Sequence, residues 1–552
     1  MAAYVIGVDF GTLSARALLL DAVSGAEMAE SVFEYPHGVI SSRLGRQELP
    51  AKFALQHPGD YLQALEHTVK GVMAAAGIGA DEVKGIGVDF TTCTILPLDE
   101  SGIPLCMDLR FSEEPHAYVK LWKHHGAAQY ADRLTKTAKR YAPEMLERYG
   151  GKLSFQWMFP KIMEVLQEAP EIYNATNRFA EAGDWVTAQL TGQETHSLSF
   201  AGYKACFDPD AGYPEETFLT EADPRLAGLI GTKVSRSVDP VCGIAGYVSQ
   251  NGSKLTGLAV GTPVAVAMPD AHVALPALNI TEDKKLMLIL GTSICHLINS
   301  SLLKPVPGVC GCIKDGVIPG LYTYEAGQPS CGDALDAFLE HFTPAQYREE
   351  AAQEDLSLHQ LYIRKASQLQ PGQSGLLALD WFNGNRSTLN DSDLSGLILG
   401  LTLHTKPEEI YRALLESCAF GTRMIIENFE EHGVQIDSVV ASGGIALKNE
   451  LMMQIYADVI GKPVSIAGSA QASARGSALY AAVAAGLYRD IGQAAGELAI
   501  PDREVYEPCL DSVQAYEALY REYQTLYTYF GTENSVMHRL RAMKKCEAED
   551  KQ

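Results

Sequence analysis

The chain predicts an α/β protein with mixed sheets, built as two halves on one plan. Near its start, three apolar runs separated by turns precede an amphipathic helix and a fourth apolar run. That order, strand, strand, strand, helix, strand, calls for a sheet with both parallel and antiparallel pairs. An apolar run, a Gly-Thr-x-Ser turn and a second apolar run surround Gly11 to Ser14, and Gly291-Thr292-Ser293 repeats this pattern in the second half. The echo points to a duplicated domain. The length, 552 residues, suits two large domains or several small ones.

Taken in order, Tyr4 to Asp9 is an apolar run ending in an acid, followed by a turn at Gly11-Thr12. Ala15 to Leu20 and Glu27 to Tyr35 complete a meander, with Asp21 to Gly25 as its second turn. Pro58-Gly59-Asp60 opens a helix whose Leu62, Leu65, Val69, Val72, Met73 and Ala76 recur at helical spacing, and Gly77 and Gly79 end it. Lys84 to Phe90 returns to strand. Tyr130 to Gly192 is richer in helical pattern, and its Phe155, Trp157, Phe159, Lys161 and Trp185 suggest an insertion packed on the sheet. Thr262 to Ala267 is a strand that stops at Pro269-Asp270, and Leu286 to Leu290 and Ile294 to Ile298 flank the second turn. A helix from Pro407 to Glu431 is stopped by Gly433. A strand from Ile436 to Ser442 then leads through Gly443-Gly444 to a helix over Lys448 to Ile460. Ser473 to Ala478 starts a helix of small residues, and the tail from Met537 is expected to fray.

Composition narrows the function classes. With 47% hydrophobic and 20% charged residues the chain is an ordinary globular protein. Its net charge of −24 argues against nucleic-acid backbones and anionic lipid, while leaving room for a local groove that takes a small anion. No run approaches the ~18 apolar residues needed to span a bilayer. The start lacks a basic leader and reads as the first strand. Eleven cysteines without a CxxC pair read as buried small hydrophobes in a reducing compartment. A cytoplasmic enzyme is expected.

Four places carry groups suited to chemistry. Asp9, at a strand end before the Gly11-Thr12 turn, can hold a hydrated metal beside a phosphate that the turn's N–H groups face. The same residues also suit an ordinary hairpin. Gly291-Thr292-Ser293 repeats the device, and the pair would grip a polyphosphate from two sides. Gly443-Gly444, at a strand-to-helix junction, lets a ligand approach the backbone, with Asn449 on the next helix able to meet an adenine edge. The glycine pair would equally make a tight turn. Asp270, just past a buried strand, is placed as a general base for a hydroxyl attacking phosphorus, or as a helix cap. His272 reads as a structural hydrogen-bonding residue rather than a second base. The P-loop GxxxxGK[ST], the HExxH zinc motif and the GxSxG elbow are absent.

DFGTLSAR, DAH, LGTS, ASGGIALKNELMMQIYADVIGKPV and SARGSAL occur in that order between Tyr4 and about Gly486. Together they resemble the FGGY carbohydrate kinases of the sugar-kinase, Hsp70 and actin superfamily. GVDFTTCTILPLDESGIPL, AYVKLWKHH, LALDWFNGNRSTLND and ALQHPGDY look like the branch of that family whose acceptors are ketopentoses. The resemblance implies two ribonuclease H-like domains with mixed β-sheets flanking an active-site cleft. Residues 1–275 would form the sugar-binding domain, 276–500 the nucleotide-binding domain and 501–552 a helical extension.

It implies ATP and Mg²⁺, with Asp270 as catalytic base and Asp9 holding the metal through water. Gly11 and Thr12 would form the first phosphate turn, Gly291 and Thr292 the second, and Gly443, Gly444 and Asn449 the adenosine motif. Thr92, Lys204 and Glu325, with Asp270, match the sugar positions. Val273-Ala274-Leu275-Pro276 departs from the small glycines that many members carry after the catalytic acid. The implied reaction is phosphorylation of a ketopentose's terminal hydroxyl, L-ribulose to L-ribulose 5-phosphate in arabinose breakdown. Another pentulose or a pentitol is the same-fold alternative, and an actin- or Hsp70-like ATPase switch the alternative from another class. The expected partners are sugar, ATP and a second copy of the chain, without nucleic acid or membrane.

Overall fold

The computed structural model describes residues 3–549, so the last three residues of the expected extension lie outside the described residues. Two lobes are each built on a seven-stranded sheet. In the first, β1 (Tyr4–Phe10), β2 (Ser14–Asp21) and β3 (Glu27–Glu34) form the expected antiparallel meander. Helix α1 (Pro58–Ala76) follows, its His57 Nδ1 accepting the Gly59 N–H and its end set by Gly77 at φ 66°. Strand β4 (Val83–Phe90) then runs parallel to β1. Helices α2 (Met158–Glu168) and α3 (Leu198–Lys204) belong to the expected insertion and the segment after it. A four-stranded sheet of Arg178–Glu181, Ile95–Leu98, Val119–Lys120 and Leu55–Gln56 adjoins them. Strands β5 (Ile244–Tyr247), β6 (Pro263–Ala265) and β7 (Met268–Pro269) return to the main sheet, and α4 (Asp270–Ala277) leaves it. The strand order is β5-β6-β4-β1-β2-β3, with β7 also on β4.

The second lobe repeats the plan. Strands β8 (Lys285–Leu290), β9 (Ile294–Ser300), β10 (Gly311–Lys314) and β11 (Tyr322–Gln328) pair antiparallel, with β11 between β9 and β10. After α5 (Gly332–Phe342) and α6 (Pro407–Glu431), strand β12 (Ser438–Ser442) lies parallel to β8. Helix α7 (Glu450–Ile460), strand β13 (Val464–Ile466), helix α8 (Ala472–Ala484) and strand β14 (Val505–Tyr506) complete the order β10-β11-β9-β8-β12-β13-β14. In both sheets the first strand sits centrally, antiparallel to the second and parallel to the strand after the first long crossover. The duplication read from the Gly-Thr-Ser echo is therefore a duplication of topology.

Alternation along β1 and β4 explains how the lobes meet. Ile6, Val8, Phe10, Ile86, Val88 and Phe90 face α1 and form one buried core with Leu65, Val69 and Val72. The opposite face presents Gly7, Gly85 and Gly87. Helix α8, encoded late in the chain, lies directly on that bare backbone. A Cβ on Gly7 would stand 1.8 Å from the Ala474 carbonyl oxygen, on Gly85 2.6 Å from that of Ala481, and on Gly87 2.2 Å from that of Ser477. The other side of α8 meets α4 as closely, since a Cβ on Gly476 would come within 1.9 Å of the Val273 oxygen. Arg475, fully buried, donates to the Gly25 carbonyl at 3.0 Å and pairs with Glu27 at 3.2 Å. The small-residue helix is thus the piece that joins the two halves.

The chain beyond the last strand is helical. Helices α9 (Leu510–Thr528) and α10 (Val536–Glu549) carry the chain to the end of the described residues. Tyr516, Tyr520, Tyr523 and Tyr527 line one face of α9 and are buried, and Tyr523 donates to Asp380 at 2.7 Å. The aromatic stripe holds the tail onto the second lobe's core. Among the described residues no helix is long and apolar enough to cross a membrane.

Gly87→Ala puts a methyl group against helix backbone that cannot yield. It should cost about 3 kcal/mol and lower Tm by several degrees. Gly496→Ala, where a Cβ meets open space among the described residues, should leave Tm unchanged or raise it.

Candidate active site

Three acids stand side by side where strands of the first sheet end. Parallel pairing of β1 with β4 puts Asp9 opposite Asp89, and pairing of β4 with β7 puts Met268 opposite Asp89. Asp270, two residues after Met268, is the first residue of α4, and its Oδ1 accepts the Ala271 N–H at 2.8 Å. Pro269, not Asp270, occupies the cap position. Burial, then the charge of Asp9, pushes the Asp270 carboxyl up to about 7. Burial also raises Asp9 and holds Asp89 well above the usual carboxylate range, Asp89 feeling its neighbour Asp9 as well. Ser477, from α8, donates to Asp89 Oδ2 at 2.6 Å. The Asp270 carbonyl accepts from Ser473 at 2.9 Å, so α8 braces two of the three acids.

Each polar turn is closed by its glycine N–H, the first turn being one residue longer than the second. Gly11 N–H closes on the Ser14 carbonyl at 2.9 Å, and Gly291 N–H on the Ser293 carbonyl at 3.0 Å. Thr12 is held from outside, its Oγ1 accepting from Trp122 Nε1 at 3.1 Å and its carbonyl from Gln56 at 2.7 Å. The second turn is held by the entry to α5, where Cys331 N–H meets the Thr292 carbonyl at 2.9 Å and Gly332 N–H the Gly291 carbonyl at 3.1 Å. The Thr292 side chain is exposed.

Gly443 adjoins this second turn. At φ 95° only glycine is comfortable, and a Cβ there would lie 2.4 Å from the Leu290 carbonyl oxygen. Gly444 faces open space among the described residues. Asn449 departs from its expected place on the helix. It is the buried N-cap of α7, and its Oδ1 accepts the Met452 N–H at 3.0 Å. The cap uses the carbonyl half of the amide and leaves the Nδ2 half for a ligand.

Lys204 and Glu325, each open to reading as an exposed charge, instead form a buried ion pair between lobes. Lys204 Nζ, at the end of α3, donates to Glu325 Oε2, on β11, at 2.7 Å. Burial alone would raise Glu325, but Lys204 and His272 overcome it and bring its carboxyl down to about 2. Burial works against the Lys204 charge as well, and Glu325 outweighs it, so the ammonium sits above its ordinary value. Thr92 is half-buried in the loop after β4. The next residue, Cys93, is left-handed at φ 62°, and buried Lys161 of α2 grips its carbonyl together with that of Leu121.

Sequence reasoning missed Asp89, Ser477, Trp122 and Arg386. Arg386 lies in the cleft, where its charge bears on Glu325, and reaches Gln156 across the lobes at 3.4 Å. Asp89 had a signal: Gly7-Val8-Asp9-Phe10 and Gly87-Val88-Asp89-Phe90 are the same word, and the two copies pair in register. His272 is not the hydrogen-bonded structural residue expected, for neither ring nitrogen finds a partner among the described residues.

Comparison with known proteins identifies the family. The family model for the N-terminal domain of FGGY carbohydrate kinases matches residues 4–276, and that for the C-terminal domain matches residues 286–485. The chain belongs to the FGGY family of carbohydrate kinases. A ribulokinase from Bacillus licheniformis is 46% identical over 542 residues, covering 97% of this chain and 98% of that one. One from Mycolicibacterium smegmatis is 43% identical over 544 residues, 98% of this chain and 96% of that one. Among solved structures, a xylulose kinase from Rhodospirillum rubrum superposes with a TM-score of 0.78 at 22% identity, over 95% of this chain and 98% of its own. A Plasmodium falciparum glycerol kinase with ADP gives 0.74 at 16% identity, over 96% and 98%. The two solved structures share the fold. As an FGGY kinase the chain is a phosphotransferase that acts on a sugar hydroxyl and uses ATP.

The ion pair has a pH signature. The Glu325 carboxyl is lowered from 4.5 to about 2. Its stabilisation is therefore complete above pH 4.5 and is lost as the pH falls from there through about 2. Glu325→Gln leaves Lys204 buried and unpaired and should cost ~3 kcal/mol at pH 7. Calorimetry should show the Tm gap to wild type narrowing below pH 4.5.

Proposed function

We propose that this kinase transfers the γ-phosphoryl group of ATP to the terminal hydroxyl of a ketopentose, converting L-ribulose to L-ribulose 5-phosphate. The observation that carries the reading is Asp270, raised to about 7 at the strand ends, in electrostatic reach of the Lys204–Glu325 pair across the lobe boundary. Curated relatives named ribulokinase, 39–46% identical over nearly the whole chain, support the choice of acceptor.

Asp270 accepts the proton of the terminal hydroxyl as that oxygen forms its bond to phosphorus. The bond from the γ-phosphorus to the bridging oxygen breaks, and its electron pair leaves with ADP. Burial and the Asp9 charge make Asp270 basic enough for this near neutral pH, where an ordinary carboxylate is a weak base. Lys204 donates to one acceptor-sugar hydroxyl and Glu325 accepts from another, while Thr92 closes the pocket from the loop after β4. The turn N–H groups at Gly11, Thr12, Gly291 and Thr292 meet phosphate oxygens, and Gly443, Gly444 and Asn449 take the adenosine end.

Mg²⁺ fits the acid ridge. Asp9 and Asp89 offer paired carboxylate oxygens, the donors a hard cation takes, in a place whose burial disfavours unneutralised charge. Bound there, Mg²⁺ would neutralise charge on the phosphate oxygens. Asp9 would be the residue that holds it. Closure of the lobes excludes water that would otherwise compete as acceptor.

Asp270→Asn should lower kcat at least ~10³-fold with ATP affinity unchanged by calorimetric titration. Because the carboxyl must be ionised to act, kcat/KM should climb about tenfold per pH unit up to about 7 and level off above it. Rates across ketopentoses and pentitols, with product regiochemistry by NMR, test the acceptor. Equal rates for ribulose and the other pentuloses would sink the assignment.

A further inference from the structure

One buried group in the cleft is not satisfied by the fold. His272 is 1% exposed, and neither ring nitrogen has a hydrogen-bond partner among the described residues. An imidazole buried that way costs free energy, and packing alone would favour a phenyl ring there. The ring lies against Tyr203 with centroids 4.1 Å apart, and Tyr203 is anchored across the lobes by its hydroxyl, which donates to the Thr323 carbonyl at 2.7 Å. Held so, His272 Nε2 stands 3.6 Å from Glu325 Oε2, just beyond hydrogen-bond length. Lys204 Nζ occupies the same oxygen at 2.7 Å. Both groups address Oε2, which leaves Oε1 to a ligand.

We propose that His272 is a positioning residue for the acceptor sugar, its Nε2–H closing onto Glu325 Oε2 when a sugar hydroxyl draws the Lys204 ammonium toward itself. The inference rests on Glu325 as a sugar ligand, as proposed above. Without the imidazole, Oε2 would lose its donor at the moment Lys204 turns to the substrate, and the carboxylate would swing. Burial keeps His272 neutral at working pH, with its titration lowered to about 4, so it offers one N–H and adds no charge. Its place two residues after Asp270 puts base and holder on one helical turn.

Three variants test this. His272→Phe keeps the ring on Tyr203 and removes the donor. It should raise KM for L-ribulose about tenfold, with kcat and the ATP KM within twofold of wild type. His272→Gln places an amide N–H where Nε2 was and should restore KM to within threefold. His272→Asn reaches only the Nδ1 position and should behave like the Phe variant. Wild-type KM in the Phe variant overturns the proposal, as does equal KM in the Gln and Asn variants. If His272→Phe does not fold, the Gln and Asn pair still decides. A wild-type chain that accepts other sugars but not L-ribulose defeats the acceptor assignment instead, and the same comparison is then read with the accepted sugar.

Discussion

The structure turns on the parallel, in-register pairing of two identical words, Gly-Val-Asp-Phe, on neighbouring strands. Because side chains alternate along a strand, this single pairing sets both faces of the first sheet. Valine and phenylalanine go to the core beneath α1, and Phe10 and Phe90 stack with centroids 5.0 Å apart. Glycine and aspartate go to the other face. There the glycines admit α8 to within backbone contact, and Asp89, two residues beyond Gly87, meets Ser477 of the same helix. A slip of one residue would turn the acids into the core and bring valine side chains up against α8.

Two consequences follow for chemistry. The acids sit where three strand ends coincide, so burial holds all three basic, and the Asp9 charge adds to this at Asp89 and Asp270, without any unusual side chain. And the helix that braces them comes from the second half of the chain, which also supplies Glu325 and the second turn. Asp270, the Lys204–Glu325 pair and the two Gly-Thr turns are therefore placed relative to one another by the seating of one lobe on the other. The Lys204–Glu325 pair crosses the same boundary, with opposite charges matched in place of matched backbones.

Much of the candidate site was legible because its signals are local. A turn needs its glycine, a helix end its cap and a buried strand its apolar run, and each is written within a few residues. The positions of Asp9, Asp270 and the two Gly-Thr turns follow from such signals, as does the repeat of topology. Asn449 marks the limit of this reading. Its place before an apolar helix is the usual one for a cap, and the amide oxygen is spent there. Ser477 and Arg475 had no local signal, since a serine and an arginine in an alanine-rich helix look like solvent-facing residues until the sheet they touch is known.

By itself, then, the sequence determined the elements, their order, the twofold plan and the residues able to do acid–base and phosphate chemistry. The tertiary structure alone decided which charges are buried, what holds them and which lie together. Lys204 meets Glu325 across 121 residues and Ser477 meets Asp89 across 388. At such separations no local preference acts, and only the packing of one element on another brings the partners within reach.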